Sequence, residues 1–187
     1  PPPDGRNARP ERAAGAGCEL PPRGIFPWGN ECYLRSDMYH QYAPFFSELW
    51  HKIRNGESLT YSWNIGMGTN FTSLFAYYLA SPSNWFVALF PQKYTIEIMN
   101  AFIILKIAGS SLSLTYYLTK HNNNKHVIAA IFGMFYGMSG FIAAYSWNIM
   151  WLDCVILIPL IMLGLERLVN ENRCIFYCIT LGLCIFT

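Results

Sequence analysis

Asp37, His40, Gln41 and Tyr42 stand together in the segment Ser36-Asp37-Met38-Tyr39-His40-Gln41-Tyr42, which sets an acid, an imidazole and an amide among aromatic rings just ahead of a series of membrane-type apolar runs. An unpaired charge is costly beside hydrocarbon, so a carboxylate in this position marks a site more often than a packing residue. His40 follows Asp37 by three residues and shares its helical face. That spacing suits either a divalent cation or an imidazole that orients the carboxylate, and the plainer alternative is a packed, hydrogen-bonded ring. Gln41 and Tyr42 either line a pocket or simply occupy the bilayer interface, where Tyr is common. Arg35 offers a fork of donors suited to a phosphate, or equally to lipid headgroups, or to Asp37 itself at the start of a helix.

The elements that must position these groups follow from composition. With 53% hydrophobic, 17% aromatic and only 13% charged residues, the chain is too apolar for an ordinary soluble domain. A formal charge of +2 without a basic patch interleaved with stacking aromatics gives no nucleic-acid partner. Residues 1–24, rich in Pro, Gly, Ala and Arg, read as a disordered or unrelated tail, and both ends look cut from something longer. Residues 25–95 read as a loop carrying interfacial or re-entrant helices. Residues 96–187 read as transmembrane helices at 96–118, 127–146, 152–168 and a truncated 174–187, each near the ~20 residues that cross hydrocarbon, with Pro159 tolerated as a kink in the third. The fold class expected is therefore all-α, a polytopic membrane helical bundle with an outer loop of interfacial helices.

Charge orients the bundle. The connection after the first span carries Lys120, His121, Lys125 and His126 with no acid, and the one after the third carries Arg167 and Arg173, so both belong in the cytoplasm. Trp147-Asn148-Ile149-Met150-Trp151-Leu152-Asp153, without Lys or Arg, then faces outward, and parity puts Asp37 on the same side. The stretch 71–90 is long enough to upset this count, but Ser81-Pro82-Ser83-Asn84 splits it into short apolar halves. Ahead of it, Met38, Tyr42, Phe45, Leu49 and Ile53 recur at helical spacing, so a surface helix is expected, capped by Ser36, bent at Pro44 and ended by Asn55-Gly56.

Other residues carry weaker signals. Asp153 suits a ligand hydroxyl or a metal, or is a plain helix-start residue, and Asn148 is either a ligand or a turn former. Lys106 falls near the middle of the first span, where a cation must face the bundle interior. An acid on a helix beyond this chain is the expected partner, ahead of direct phosphate contact. Gly66-Met67-Gly68-Thr69-Asn70 offers backbone amides to a phosphate or is a tight turn. Gly133 and Gly137 form a GxxxG suited to close helix packing. Cys154, Cys174, Cys178 and Cys184 fall in apolar helices and act as small apolar residues, no CxxC metal spacing occurs, and only Cys18 and Cys32 are placed to form an outer disulfide.

Four blocks in order, Ser36 to Phe45, Tyr61 to Asn70, Leu74 to Pro82 and Trp147 to Asp153, closely resemble the bacterial YfhO membrane protein family, with the likeness running from about Gly24 to the end. The resemblance implies a glycosyltransferase of the GT-C type. Such an enzyme takes a sugar from a polyprenyl-phosphate donor on the outer face of the cytoplasmic membrane and gives it to an envelope polymer such as lipoteichoic acid. It also implies that Asp37 matches the catalytic carboxylate of the first outer loop, with Arg35, His40, Gln41, Tyr42, Asn148 and Asp153 as substrate-binding candidates, no assigned metal ligand and a divalent cation as an open question. Family members begin with a transmembrane helix before the Asp37 loop and continue with further spans and an outer domain. In their place here stand residues 1–24 and the end of the chain, so the piece alone is expected to be inactive. The competing readings are a lipid or polysaccharide transporter and a non-catalytic protein that binds a lipid-linked sugar.

Overall fold

The structure, a computed structural model, describes residues 37–122 and 126–187. The expectations for residues 1–24, Arg35, the Ser36 cap and the Cys18–Cys32 pairing lie outside the described residues. The helical path is continuous from Asp37 to Asn55, but it is not one uniform helix. Met38–Tyr42 forms a π-turn and α1 occupies Ala43–Asn55. Pro44 has no N–H to give the preceding turn, and the backbone responds by widening there, with the Ala43 N–H reaching Met38 O. The expected bend at Pro44 is thus a local π-turn, and α1 ends at Asn55-Gly56 as the sequence reads.

After α1 the chain makes a small antiparallel hairpin, β1 (Tyr61–Ser62) with β2 (Thr69–Asn70). The stretch 71–90 is not one helix. It is a short α2 (Phe71–Leu74), a π-turn (Phe75–Leu79) and a 3-10 helix (Pro82–Leu89), broken at Ala80-Ser81 before the proline.

Long helices follow: α3 (Thr95–His121), α4 (His126–Gly137) with α5 (Gly140–Tyr145), α6 (Ile149–Glu171) and α7 (Ile175–Phe186). Gln92–His121, His126–Tyr145 and Ile149–Glu171 are each long and apolar enough to cross a membrane, and Ile175–Phe186 is a shorter apolar helix. The 127–146 span is interrupted. α4 stops at Gly137 and α5 restarts behind Ser139, whose hydroxyl accepts from the Ile142 N–H. Pro159 lies inside α6 and is buried against the bundle.

α3 packs against α4 and α6, and α6 against α7. A Cβ on Gly133 would lie 2.0 Å from Thr115 Oγ1 and 2.5 Å from the Ser111 carbonyl, so α4 approaches α3 backbone to backbone there, as the GxxxG reading expects. The apolar core gathers at one end of the bundle. Met38, Tyr42, Phe46 and Leu49 of the first helical path meet Phe71, Leu79 and Val87, then Met99 and Ile103 of α3 and Ile149 and Leu152 of α6. Elsewhere the long helices expose apolar side chains such as Val127, Phe135, Ile158 and Ile185, as lipid-facing surfaces do.

Candidate functional site

Asp37 opens the helical path and is half-buried. Its carboxylate lies within electrostatic reach of the Tyr42 and Tyr78 hydroxyls. Burial is the main cause that pushes the Tyr42 hydroxyl far above its ordinary value, followed by Tyr78, with Asp37 adding to it. The Tyr78 hydroxyl is raised by burial, then Tyr77, then Asp37. Tyr78 sets its ring edge-on to Tyr42 at 5.4 Å and against Tyr77 at 4.7 Å, so the acid stands beside a cluster of tyrosines.

Tyr42, kept protonated, donates its hydroxyl hydrogen bond to Asn148 Oδ1 in a buried contact. That bond joins the Asp37 turn to the α5–α6 connection across 106 residues of chain. Gln41 is half-buried in the same π-turn, whereas His40 is exposed and packs edge-on against Tyr39 at 5.1 Å. Among the described residues no three His, Cys, Asp or Glu side chains come together in a metal-binding group. Arg35 lies outside the described residues.

Asp153 is not in the turn but in the second turn of α6, facing inward. Lys106 Nζ donates to its Oδ2 at 2.6 Å, to the Ile149 carbonyl at 3.3 Å and more distantly to Ser81 Oγ at 3.5 Å. The expectation that Lys106 pairs with an acid on a helix beyond this chain is therefore corrected: its partner is Asp153, 47 residues away on α6. The physical reason is economy of desolvation, since the ammonium and carboxylate are 5% and 13% exposed and each needs the other in an apolar bundle. For Asp153 the pairing gives its carboxylate a firm internal partner, beyond the plain helix-start role.

A polar chain extends from this pair. Ser81 Oγ shares a hydrogen bond of 2.8 Å with Ser83 Oγ, which donates at 3.5 Å to Asn84 Oδ1. The Ser81-Pro82 break, α3 and the start of α6 are thus linked through Lys106, and Asn148 links the same region to the Asp37 turn. Tyr78 and Ser81 are site-lining residues that reading for acids and histidines passed over. Their signal was present in the Tyr77-Tyr78 pair ahead of Ser81-Pro82.

With this geometry in place, the comparison with known families is decisive for kinship. The model of the family described as bacterial membrane protein YfhO matches residues 20–187. The chain belongs to the YfhO family. No curated protein and no solved structure matches it. The YfhO match spans every element described above, so the apolar helices are those of a membrane protein and the Asp37 turn, the tyrosine cluster and the Lys106–Asp153 pair all lie within the family's region.

Proposed function

We propose that this YfhO-family chain belongs to a GT-C type glycosyltransferase that moves a sugar from a polyprenyl-phosphate donor to an envelope polymer such as lipoteichoic acid, with Asp37 as general base. The site opens on the outer face of the cytoplasmic membrane, opposite the Lys- and Arg-bearing connections. Asp37 takes the proton of an acceptor hydroxyl while that oxygen attacks the anomeric carbon. The C–O bond to the polyprenyl phosphate breaks on the opposite face, the phosphate keeps the bonding electrons, and the anomeric centre inverts. Arg35, His40 and Gln41 are proposed to contact donor or acceptor, and Tyr42 and Asn148 to frame the site.

The observation that supports this reading is the Tyr42–Asn148 hydrogen bond, which brings the Asp37 turn and the Trp-rich α5–α6 connection to one end of an apolar bundle. A carboxylate beside a tyrosine cluster at such an end suits a reaction between a lipid-borne donor and a water-borne acceptor. The test is Asp37→Asn in the full-length protein, assayed for sugar transfer from a polyprenyl-phosphate sugar and, separately, for donor binding. Loss of transfer by roughly a hundredfold or more with donor binding retained is the expected result for a missing general base. Unchanged transfer removes Asp37 from the chemistry, and transport without transfer in the unmodified protein establishes the transporter instead.

A further inference from the structure

The hairpin between α1 and α2 is built inside out. In a two-stranded ribbon facing water, apolar side chains turn toward the protein and polar ones toward solvent. Here Ser62 is buried and donates to Glu48 Oε1 at 2.6 Å, and Asn64 Nδ2 donates to Glu48 Oε2 at 3.0 Å. Tyr61, Trp63 and Met67 point away, at 43%, 76% and 96% exposed, while Ile65 between them packs against the core.

The arrangement is held firmly. Lys52 Nζ, itself buried, donates to the carbonyls of Ser58 at 3.0 Å and Tyr61 at 2.8 Å while lying 3.7 Å from Glu48 Oε1. The Tyr61 ring lies over Gly68, where a Cβ would meet its hydroxyl at 2.2 Å, and stands edge-on to Trp63 at 4.9 Å. Met67 adopts φ 61, a left-handed conformation that a bulky residue rarely takes without compensation. A buried ion pair, two strand rungs and a strained methionine thus serve to present an aromatic and thioether surface outward.

Charge decides what that surface faces. From Ser58 to Gln92 the chain has no Asp, Glu, Lys, Arg or His. Protein-binding patches are enriched in Arg, which this stretch lacks. Its other exposed large apolar side chains are Tyr77, Trp85, Phe86, Leu89 and Phe90, its exposed polar ones are uncharged, and the stretch runs directly into α3, which is long and apolar enough to cross a membrane. Trp and Tyr favour the headgroup level, where an amphipathic ring has both an apolar and a polar neighbour.

We propose that the 61–70 hairpin is a membrane-contact element whose outward face of Tyr61, Trp63 and Met67 lies in the lipid headgroup and upper acyl region. The inference stands apart from the glycosyltransferase reading, because lipid contact here needs no sugar transfer. It is tested with the full chain in nanodiscs, the native cysteines replaced, and Met67→Cys labelled with an environment-sensitive fluorophore. Doxyl-labelled lipids and aqueous iodide serve as quenchers. Phe135→Cys on α4 is the lipid-facing control and Asn55→Cys the water-facing one. Lipid quenching at position 67 within about twofold of that at 135 is expected for an interfacial anchor. Quenching by iodide alone places the hairpin in water and overturns the proposal, and protection from both quenchers assigns the face to a protein partner and overturns it equally. Trp63→Cys, read the same way, guards against a local effect at Met67.

Discussion

Replacing Lys106 by Met keeps much of the side chain's length and removes its charge, which leaves the Asp153 carboxylate facing an apolar bundle with 13% of its side chain exposed. The lost hydrogen bonds to Ile149 O and Ser81 Oγ are neutral contacts at 3.3 and 3.5 Å. Such interhelical bonds are worth only about 0.6 kcal/mol on average in a bilayer protein. The orphaned charge is the larger effect, because breaking a buried pair from one side destabilises by about 3–5 kcal/mol. Asp153→Asn leaves the ammonium with neutral acceptors and is expected to fall in the same range. Removing both charges together, as Lys106→Met with Asp153→Leu, should recover most of the loss and land within about 1 kcal/mol of the parent, since an apolar replacement of a buried pair is close to neutral. The assay is SDS-titrated unfolding of the purified protein in mixed micelles, followed by circular dichroism and analysed as a double-mutant cycle. Single variants that each cost less than about 1 kcal/mol, or two losses that simply add, would refute the assignment of this pair as the internal link between α3 and α6.

Other perturbations reach separate parts of the molecule. Gly133→Ala forces a methyl to within 2.5 Å of the Ser111 carbonyl, a backbone atom that cannot turn away, so α4 must move off α3. A loss of about 1–3 kcal/mol is expected in the same unfolding assay, and an unchanged midpoint would contradict the close approach. Burial alone would raise the Glu48 carboxyl, but the hydrogen bonds from Ser62 and Asn64 and the Lys52 charge outweigh it and hold the group below the ordinary carboxylate range. The folded-state value being the lower one, this stabilisation is complete above the unfolded carboxylate's titration and is lost as pH falls through the folded value. Hydrogen exchange at the Phe71 amide, which donates to Thr60 O at 3.0 Å, should therefore accelerate in acid beyond its intrinsic pH dependence, and Glu48→Gln should abolish that extra acceleration.

The long apolar helices were legible because the property that makes them, an unbroken run of side chains tolerant of hydrocarbon, is local. The break at Ser81-Pro82 was legible for a similar reason, as proline dictates its own dihedral and its neighbour's. What escaped the sequence were pairings set by helix packing. Nothing near Lys106 in the chain marks Asp153 as its partner, and the charge-counting that places one in a span and the other in a turn obscures that α3 and α6 run side by side. The interruption at Met138-Ser139 was hidden inside an apolar run, where Ser and Gly read as small packing residues and the capping by Ser139 appears only in the fold. For the candidate site, Asp37 stood out by type, and the connection through Tyr42 to Asn148 did not, because an interfacial tyrosine resembles any other.

The widened turn at Met38–Tyr42 fixes the angular phase of Asp37 relative to α1. A π-turn holds one residue more than an α-turn, so relative to the same residues wound as an uninterrupted α-helix Asp37 is rotated by about 100° around the axis. Asp37 consequently looks toward Tyr42 and Tyr78 only while that extra residue is accommodated. Rewinding the turn as regular α-helix with all its residues kept would swing the acid to another side of the cylinder, whereas removal of one residue of the turn would give regular winding and leave the acid's direction unchanged.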